Sequence, residues 1–121
     1  GWTDVAQPWV SVLSLASLRD LEKRLDQPLG IERWRGNIWL DGWDAHAERD
    51  LVGQVLTIGG LELRVTQTIG RCAATSADPA TGQIDIDMPA ALTAQFGHGE
   101  FGVYAEVVTG GEIALGDEVR A

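Results

Sequence analysis

The residues with the most chemical potential in this chain are Gly70-Arg71-Cys72. Cys72 is the single cysteine in 121 residues, which excludes an internal disulfide and a four-cysteine metal site. A neighbouring cation favours the thiolate form, which is both a nucleophile and a soft metal ligand. Gly70 leaves room for a bulky ligand to approach the backbone. Against this, a lone cysteine is more often a small inert core residue, and the local sequence alone favours that simpler reading. Arg35 and Asn37 come next. They stand two apart on a predicted strand, so both side chains point the same way, and an arginine with an amide can grip a phosphate or a fused heterocycle. From the residues alone, ordinary surface pairs on an exposed strand face are the better reading.

Other clusters carry less. His46 sits among Asp41, Asp44, Glu48 and Asp50, but the order matches no metal-loop signature, and solvated surface is the expected role. His98, within Gly97-His98-Gly99, has the chemistry of a proton shuttle but the setting of an exposed loop. Thr75, Asp78 and Thr81 resemble a hydroxyl–acid group, yet turn formation accounts for Asp78 and Thr81. There is no GxSxG elbow, phosphate-binding loop or dinucleotide fingerprint.

The elements that must position these residues are mostly strands. After an irregular lead over 1–13, with 10–15 as a short strand or loop entry, Ser17 is expected to cap a helix. Leu18, Leu21 and Leu25 form its apolar stripe, and Pro28 and Gly30 stop it. Strands are predicted over 34–40, 52–58, 61–69 and 101–108, with short ones at 112–115 and 118–119. Gly59-Gly60 reads as a two-residue hairpin turn. Along 61–69, Leu61, Leu63, Val65, Gln67 and Ile69 are expected to share one face. Residues 43–50 read as a loop or one helical turn, Asp78 to Gly82 as a turn, and Pro89 to Phe96 as a short helix stopped by Gly97. Short strands joined by glycine turns predict a mainly β fold, a barrel or sandwich, with a few flanking helices.

Composition sets outer limits. One domain suits 121 residues, and 45% hydrophobic with 22% charged residues is ordinary globular material. Nine basic residues against eighteen acidic ones give a net charge of −9, which argues against nucleic acid and against anionic membranes. No apolar run approaches the roughly 20 residues that span a bilayer. No signal peptide is visible, and Gly1 in place of Met suggests a processed or excised piece. The five tryptophans are expected to be mostly half-buried packing residues.

Read together, several segments resemble the MOSC domain, the molybdenum cofactor sulfurase C-terminal family. Leu15-Ala16-Ser17-Leu18-Arg19-Asp20-Leu21 resembles a helix start in its long members. Arg33-Trp34-Arg35-Gly36-Asn37-Ile38 followed by Asp41-Gly42 is similar to its "RFRPN(I)…DG" stretch. Arg71-Cys72-Ala73-Ala74-Thr75 and then Asp78-Pro79-Ala80-Thr81-Gly82 are similar to "RC…T…DP.TG". The segments 101–104 and 111–119 look like its closing strands. The resemblance runs in order from about residue 14 to the end and is closest to the amidoxime-reducing branch and its bacterial relatives.

The resemblance implies a β-barrel of the MOSC type, with residues 1–121 as a single domain corresponding to the C-terminal part of the family's full domain, its barrel incomplete. It implies a molybdenum cofactor (molybdopterin), with Cys72 as metal ligand and catalytic centre. Gly70 and Arg71 would border the cofactor, and Arg35, Asn37 and Tyr104 would contact its pterin or phosphate. All of these are expected around Cys72 on one side of the barrel. The implied activity is reduction of N-hydroxylated or related N–O and S–O compounds, with a small-molecule substrate and a redox partner protein supplying electrons. Pyridoxal phosphate is not expected, and the compartment implied is the bacterial cytoplasm. Two other readings stay open: a sulfur carrier holding a persulfide on Cys72, and a non-catalytic barrel fragment. Gly36 stands where the family often has proline, which is expected to loosen the strand without removing a contact. With the family's N-terminal basic contacts missing, the −9 charge is expected to oppose an anionic cofactor, so that the isolated chain binds it weakly and is inactive.

Overall fold

Alternating apolar residues build the central sheet. The computed structural model describes residues 2–5 and 9–121. Its strands are β1 (Trp2–Val5), β2 (Trp9–Ser14), β3 (Ile38–Leu40), β4 (Val55–Ile58), β5 (Leu61–Gly70), β6 (Glu100–Thr109), β7 (Gly111–Ala114) and β8 (Val119–Arg120). Six of them form one sheet in the order β3-β2-β6-β5-β4-β8, antiparallel except for the parallel β2–β3 pair, and β1 pairs with β7 beside it. The sheet curls into a nearly closed barrel with one unsealed seam. A groove of about 580 Å³ runs between β3 with its following turn and the segment Ile113 to Val119. The lead expected to be irregular thus holds strands on both sides of residues 6–8, which lie outside the described residues. Ile58 and Leu61 pair directly, so Gly59-Gly60 makes the two-residue hairpin, with Gly59 at φ 56°.

Two apolar clusters use opposite faces of the sheet. Val10, Val12, Leu56, Leu63, Val65, Val103 and Ala105 fill the barrel interior. Leu13, Leu18, Leu21, Trp34, Met88, Leu92 and Phe101 pack between the sheet and the helices α1 (Leu15–Leu25) and α2 (Met88–Phe96). Helix α1 starts three residues earlier than its leucine stripe suggested: Ser14, not Ser17, is the cap, its hydroxyl accepting from the Ser17 N–H. Ser17 is buried, and its hydroxyl donates to the buried Glu48 carboxylate at 2.7 Å. Glu48 is therefore interior rather than solvated surface. Asp87 caps α2 and Gly97 ends it in the left-handed conformation. The tryptophans divide rather than being uniformly half-buried: Trp34 is buried, Trp39 and Trp43 are half-buried, and Trp9 is exposed.

Two of the three register shifts in the β5–β6 ladder change which face each strand presents near the cleft. Val65 pairs with Ala105 but Gln67 with Tyr104, so Thr66 is an extra residue on β5. Leu61, Leu63 and Val65 face the barrel interior, whereas Gln67 is exposed opposite Tyr104 and Ile69 is buried on the outer side. The expected single face is thereby split. Further on, Thr68 pairs with Val103 and Gly70 with Glu100, leaving two residues of β6, Phe101 and Gly102, opposite Ile69. Gly102 takes φ 84°, as a bulge with a left-handed residue requires, and Phe101 turns out to the helical layer.

Candidate functional site

Both bulges open onto one cleft of about 340 Å³ on the outer face of the sheet. Ile69 floors it. Gly70, Arg71 and Cys72 form one wall, Arg35 and Asn37 another, and Tyr104, Ser11 and Trp9 a third. The residues to which the family resemblance gave a cofactor role, Arg35, Asn37, Gly70, Arg71, Cys72 and Tyr104, all line this cleft, brought together from three separate segments. Cys72 is exposed, immediately beyond the end of β5, and the inert core reading of its thiol does not hold. Its carbonyl accepts from the Thr75 N–H (3.2 Å) and hydroxyl (2.9 Å), which shapes the short 3-10 turn Ala73–Ser76.

Arg71 is fixed from behind. Its Nε donates to the Phe101 carbonyl at 2.9 Å, which the Gly102 bulge presents, and its Nη1 donates to the Trp34 carbonyl at 3.2 Å. The guanidinium lies 5.4 Å from the Trp34 ring centroid, and Trp34 stacks on Phe101 at 4.2 Å between centroids. Nη2 is buried without a hydrogen-bond partner among the described residues, as is the Trp34 Nε1. Burial pushes the Arg71 guanidinium below its ordinary value, opposed by the nearby Tyr104 hydroxyl and Cys72 thiol. Among the described residues no carboxylate pairs with it, and its hydrogen bonds go to carbonyl oxygens.

The opposite wall departs from the predicted strand over 34–40. Glu32–Trp34 is a 3-10 turn, and Arg35 closes it in the left-handed conformation (φ 53°, ψ 39°), its N–H donating to the Glu32 carbonyl. Pairing of β2 with β3 begins only at Val12–Ile38, because the side chain of Asn37 occupies the preceding position. The Ser11 N–H and hydroxyl both donate to Asn37 Oδ1 (2.8 and 3.0 Å), and the Asn37 N–H returns to Ser11 Oγ at 3.0 Å. A backbone N–H can only donate, so the amide orientation is determined, and the two Nδ2 hydrogens remain uncommitted. Arg35 and Asn37 thus reach one cleft through a turn, not as two residues on one strand face. Gly36 is no loosened strand position either: a Cβ there would lie 2.5 Å from Leu13 Cδ1 and 3.0 Å from Trp39 Nε1.

Arg33 was quoted in the motif without a role, and it connects the two walls. Its Nε donates to the Leu29 carbonyl at 3.0 Å and its Nη1 to the Thr75 carbonyl at 3.3 Å, and the guanidinium makes a two-pronged pair with Asp85. The Arg33 partner holds the Asp85 carboxyl below its usual range, and Asp85 raises Arg33 in return. No local sequence signal marks a pair separated by 52 residues.

The remaining candidates lie elsewhere. His46 and His98 do not line the cleft. His46 Nε2 is 2.7 Å from Asp20 Oδ2, and this contact, ahead of Arg24, holds Asp20 below its usual value. His98 Nδ1 accepts from the Glu100 N–H at 3.1 Å, and burial, reinforced by Arg49, lowers its pKa. Asp78 accepts from Thr81 and Gly82 in the expected turn. Among the described residues no group of three or more His, Cys, Asp or Glu side chains forms a metal site. Nor is any helix there long and apolar enough to cross a membrane.

Charge is segregated at the cleft. Among the described residues, Arg33, Arg35 and Arg71 line it and no aspartate or glutamate does, although the chain carries −9 overall. Arg33 is paired with Asp85 from outside the lining, so of the three it is the one whose charge is met by a carboxylate among the described residues.

A MOSC domain model matches residues 6–120, and the chain belongs to the MOSC domain family. Among curated proteins it is similar to the mitochondrial amidoxime reducing component 2 of Homo sapiens, 31% identical over 120 residues that cover 89% of this chain and 35% of that protein. It is also similar to the mitochondrial amidoxime-reducing component 1 of Mus musculus, 40% identical over 84 residues, 69% of this chain and 24% of that protein. The chain spans about a third of the length of the full-coverage relatives. Among solved structures its fold is similar to YiiM from Geobacillus stearothermophilus, with TM-score 0.73 at 20% identity, covering 98% of this chain and 59% of that one.

Proposed function

We propose that this chain is a molybdenum-cofactor-binding module of an oxidoreductase that reduces N-hydroxylated or related N–O and S–O compounds. The observation that carries the reading is an exposed thiol in a cleft lined by three arginines, of which Arg33 is paired with Asp85, and, among the described residues, by no aspartate or glutamate, within an acidic chain. The residues fit the group. A thiolate is a soft donor suited to molybdenum. Arg35 and the uncommitted Asn37 amide hydrogens suit an anionic pterin phosphate, and Arg71 supplies a fixed positive charge beside the sulfur. Gly70 carries no Cβ to block the approach. When bound, the cofactor supplies oxygen-atom transfer and the accompanying electron chemistry.

The chain's own contribution is positioning. Cys72 would hold the metal, Arg71 would place a fixed positive charge beside it, and Arg35, Asn37 and Tyr104 would orient the pterin. Electrons would come from a redox protein, since no sequence motif for flavin, haem or iron–sulfur is present.

The test is to express the chain in a host that makes the cofactor and to measure molybdenum and pterin per chain beside Cys72→Ser and Arg35→Ala. Metal that disappears with Cys72→Ser, and pterin that falls with Arg35→Ala, support the reading. Equal metal in wild type and Cys72→Ser overturns it. The open exposure of the Cys72 sulfur also suits a persulfide carrier, and cyanide-releasable sulfur without molybdenum would favour that second reading.

A further inference from the structure

Beside the thiol cleft lies a second, apolar cavity of about 280 Å³ lined by Trp9, Gln67 and Tyr104. Trp9 and Tyr104 line both cavities, so the two are adjacent. The register explains the grouping. Tyr104 pairs across the sheet with Ser11 on one side and with Gln67 on the other, and Trp9 pairs with Glu106, two residues along from Tyr104. Gln67 joins this outer row because the Thr66 bulge turns it away from the barrel interior. Trp9 is 53% exposed and Tyr104 39%, an aromatic pair left at the surface beside a reactive thiol. The adjacent charges satisfy each other, Arg64 reaching Glu106 at 3.0 Å, and Gln67 offers only a neutral amide.

We propose that Trp9, Tyr104 and Gln67 form a subsite for a neutral aryl group of the substrate, whose reacting head then lies in the cleft at Cys72. This rests on the proposed function for the class of head group and adds the part of the substrate that the chain selects. Aromatic faces and a neutral amide suit a flat, uncharged ring, which stacks or packs edge-on against both side chains. A charged substituent would lose hydration there without gaining an ionic partner.

The probes are benzamidoxime and acetamidoxime, which share a head group and differ by the ring, and binding to the metal-free chain is followed by ligand-observed NMR. Benzamidoxime is expected to bind about tenfold more tightly. Trp9→Ala should abolish that preference by weakening benzamidoxime much more than acetamidoxime, and Trp9→Phe should restore most of it. Circular dichroism confirms that each variant is folded. Equal binding of the two probes, no binding of either, or a preference that survives Trp9→Ala overturns the subsite. So does a concentration-dependent dimer abolished by Trp9→Ala, since the patch would then serve a second copy of the chain. Because these measurements need no metal, failure of the cofactor reading shows separately, in the molybdenum content.

Discussion

Arg33 and Asp85 face each other as a two-pronged pair, Nη1 to Oδ1 at 2.9 Å and Nη2 to Oδ2 at 2.8 Å. Through Arg33, whose Nη1 also donates to the Thr75 carbonyl, the turn leading to Arg35 is tied to the turn that follows Cys72. Asp85→Asn is expected to cost about 1–2 kcal/mol at pH 7, less than a fully buried pair would because the carboxylate is partly solvated. The folded pKa of Asp85 lies below its ordinary 3.8. Its contribution is therefore present above about pH 4 and is lost as pH falls through the folded value. Urea melts should show the gap between wild type and variant closing in acid; a constant gap would remove the pair from the account.

His98 provides a second pH dependence in a different window. Burial and then Arg49 lower its pKa below the ordinary 6.5, with Glu100 opposing, so the folded chain binds the proton less well than the unfolded chain. Stability should decline as pH falls below 6.5, until the folded value is passed, and stay flat above it. His98→Gln should flatten that slope. An unchanged slope in the variant would assign it to other groups.

Gly102→Ala should be among the most damaging single-methyl additions. The backbone sits at φ 84°, and a Cβ would meet Leu13 Cγ at 2.9 Å and Arg71 Nη2 at 3.3 Å. A loss of about 2–4 kcal/mol is expected from strain and overpacking together. Molybdenum retention should fall further than stability alone explains, because Arg71 is displaced. Denaturant midpoints compared with metal content separate the two effects.

Cys72 should react with a thiol reagent in the folded chain at the rate of an exposed cysteine, with one label per chain. Cys72→Ser should change stability by no more than about 0.5 kcal/mol, as expected for an exposed position. A protected thiol, or a large loss on substitution, would contradict the exposed placement.

Local chemistry was readable along the sequence wherever one segment decides the outcome. The leucines of α1, the Gly59-Gly60 hairpin, the Asp78–Gly82 turn and the Pro89–Gly97 helix all follow from short-range rules. The composition of the cleft was readable only through the family's motif order, because Arg35, Arg71 and Tyr104 meet by folding and not by spacing. Where the sequence reading erred, a distant partner decided the outcome. Asn37 takes a ladder position through Ser11, Ser17 turns inward to Glu48, and the Thr66 bulge overrides an unbroken alternation. Arg33 passed unassigned because its partner Asp85 is far along the chain.

The extra residue at Thr66 has one more consequence. It divides β5 into two halves that are out of phase, the first belonging to the barrel interior and the second to the cleft. Substitutions on either side of that point alter different surroundings, the barrel core on one side and the cleft on the other. A single strand can therefore vary in its cleft half while its core half stays fixed, and deleting Thr66 would remove the bulge while leaving Gln67 and Ile69 on the cleft side.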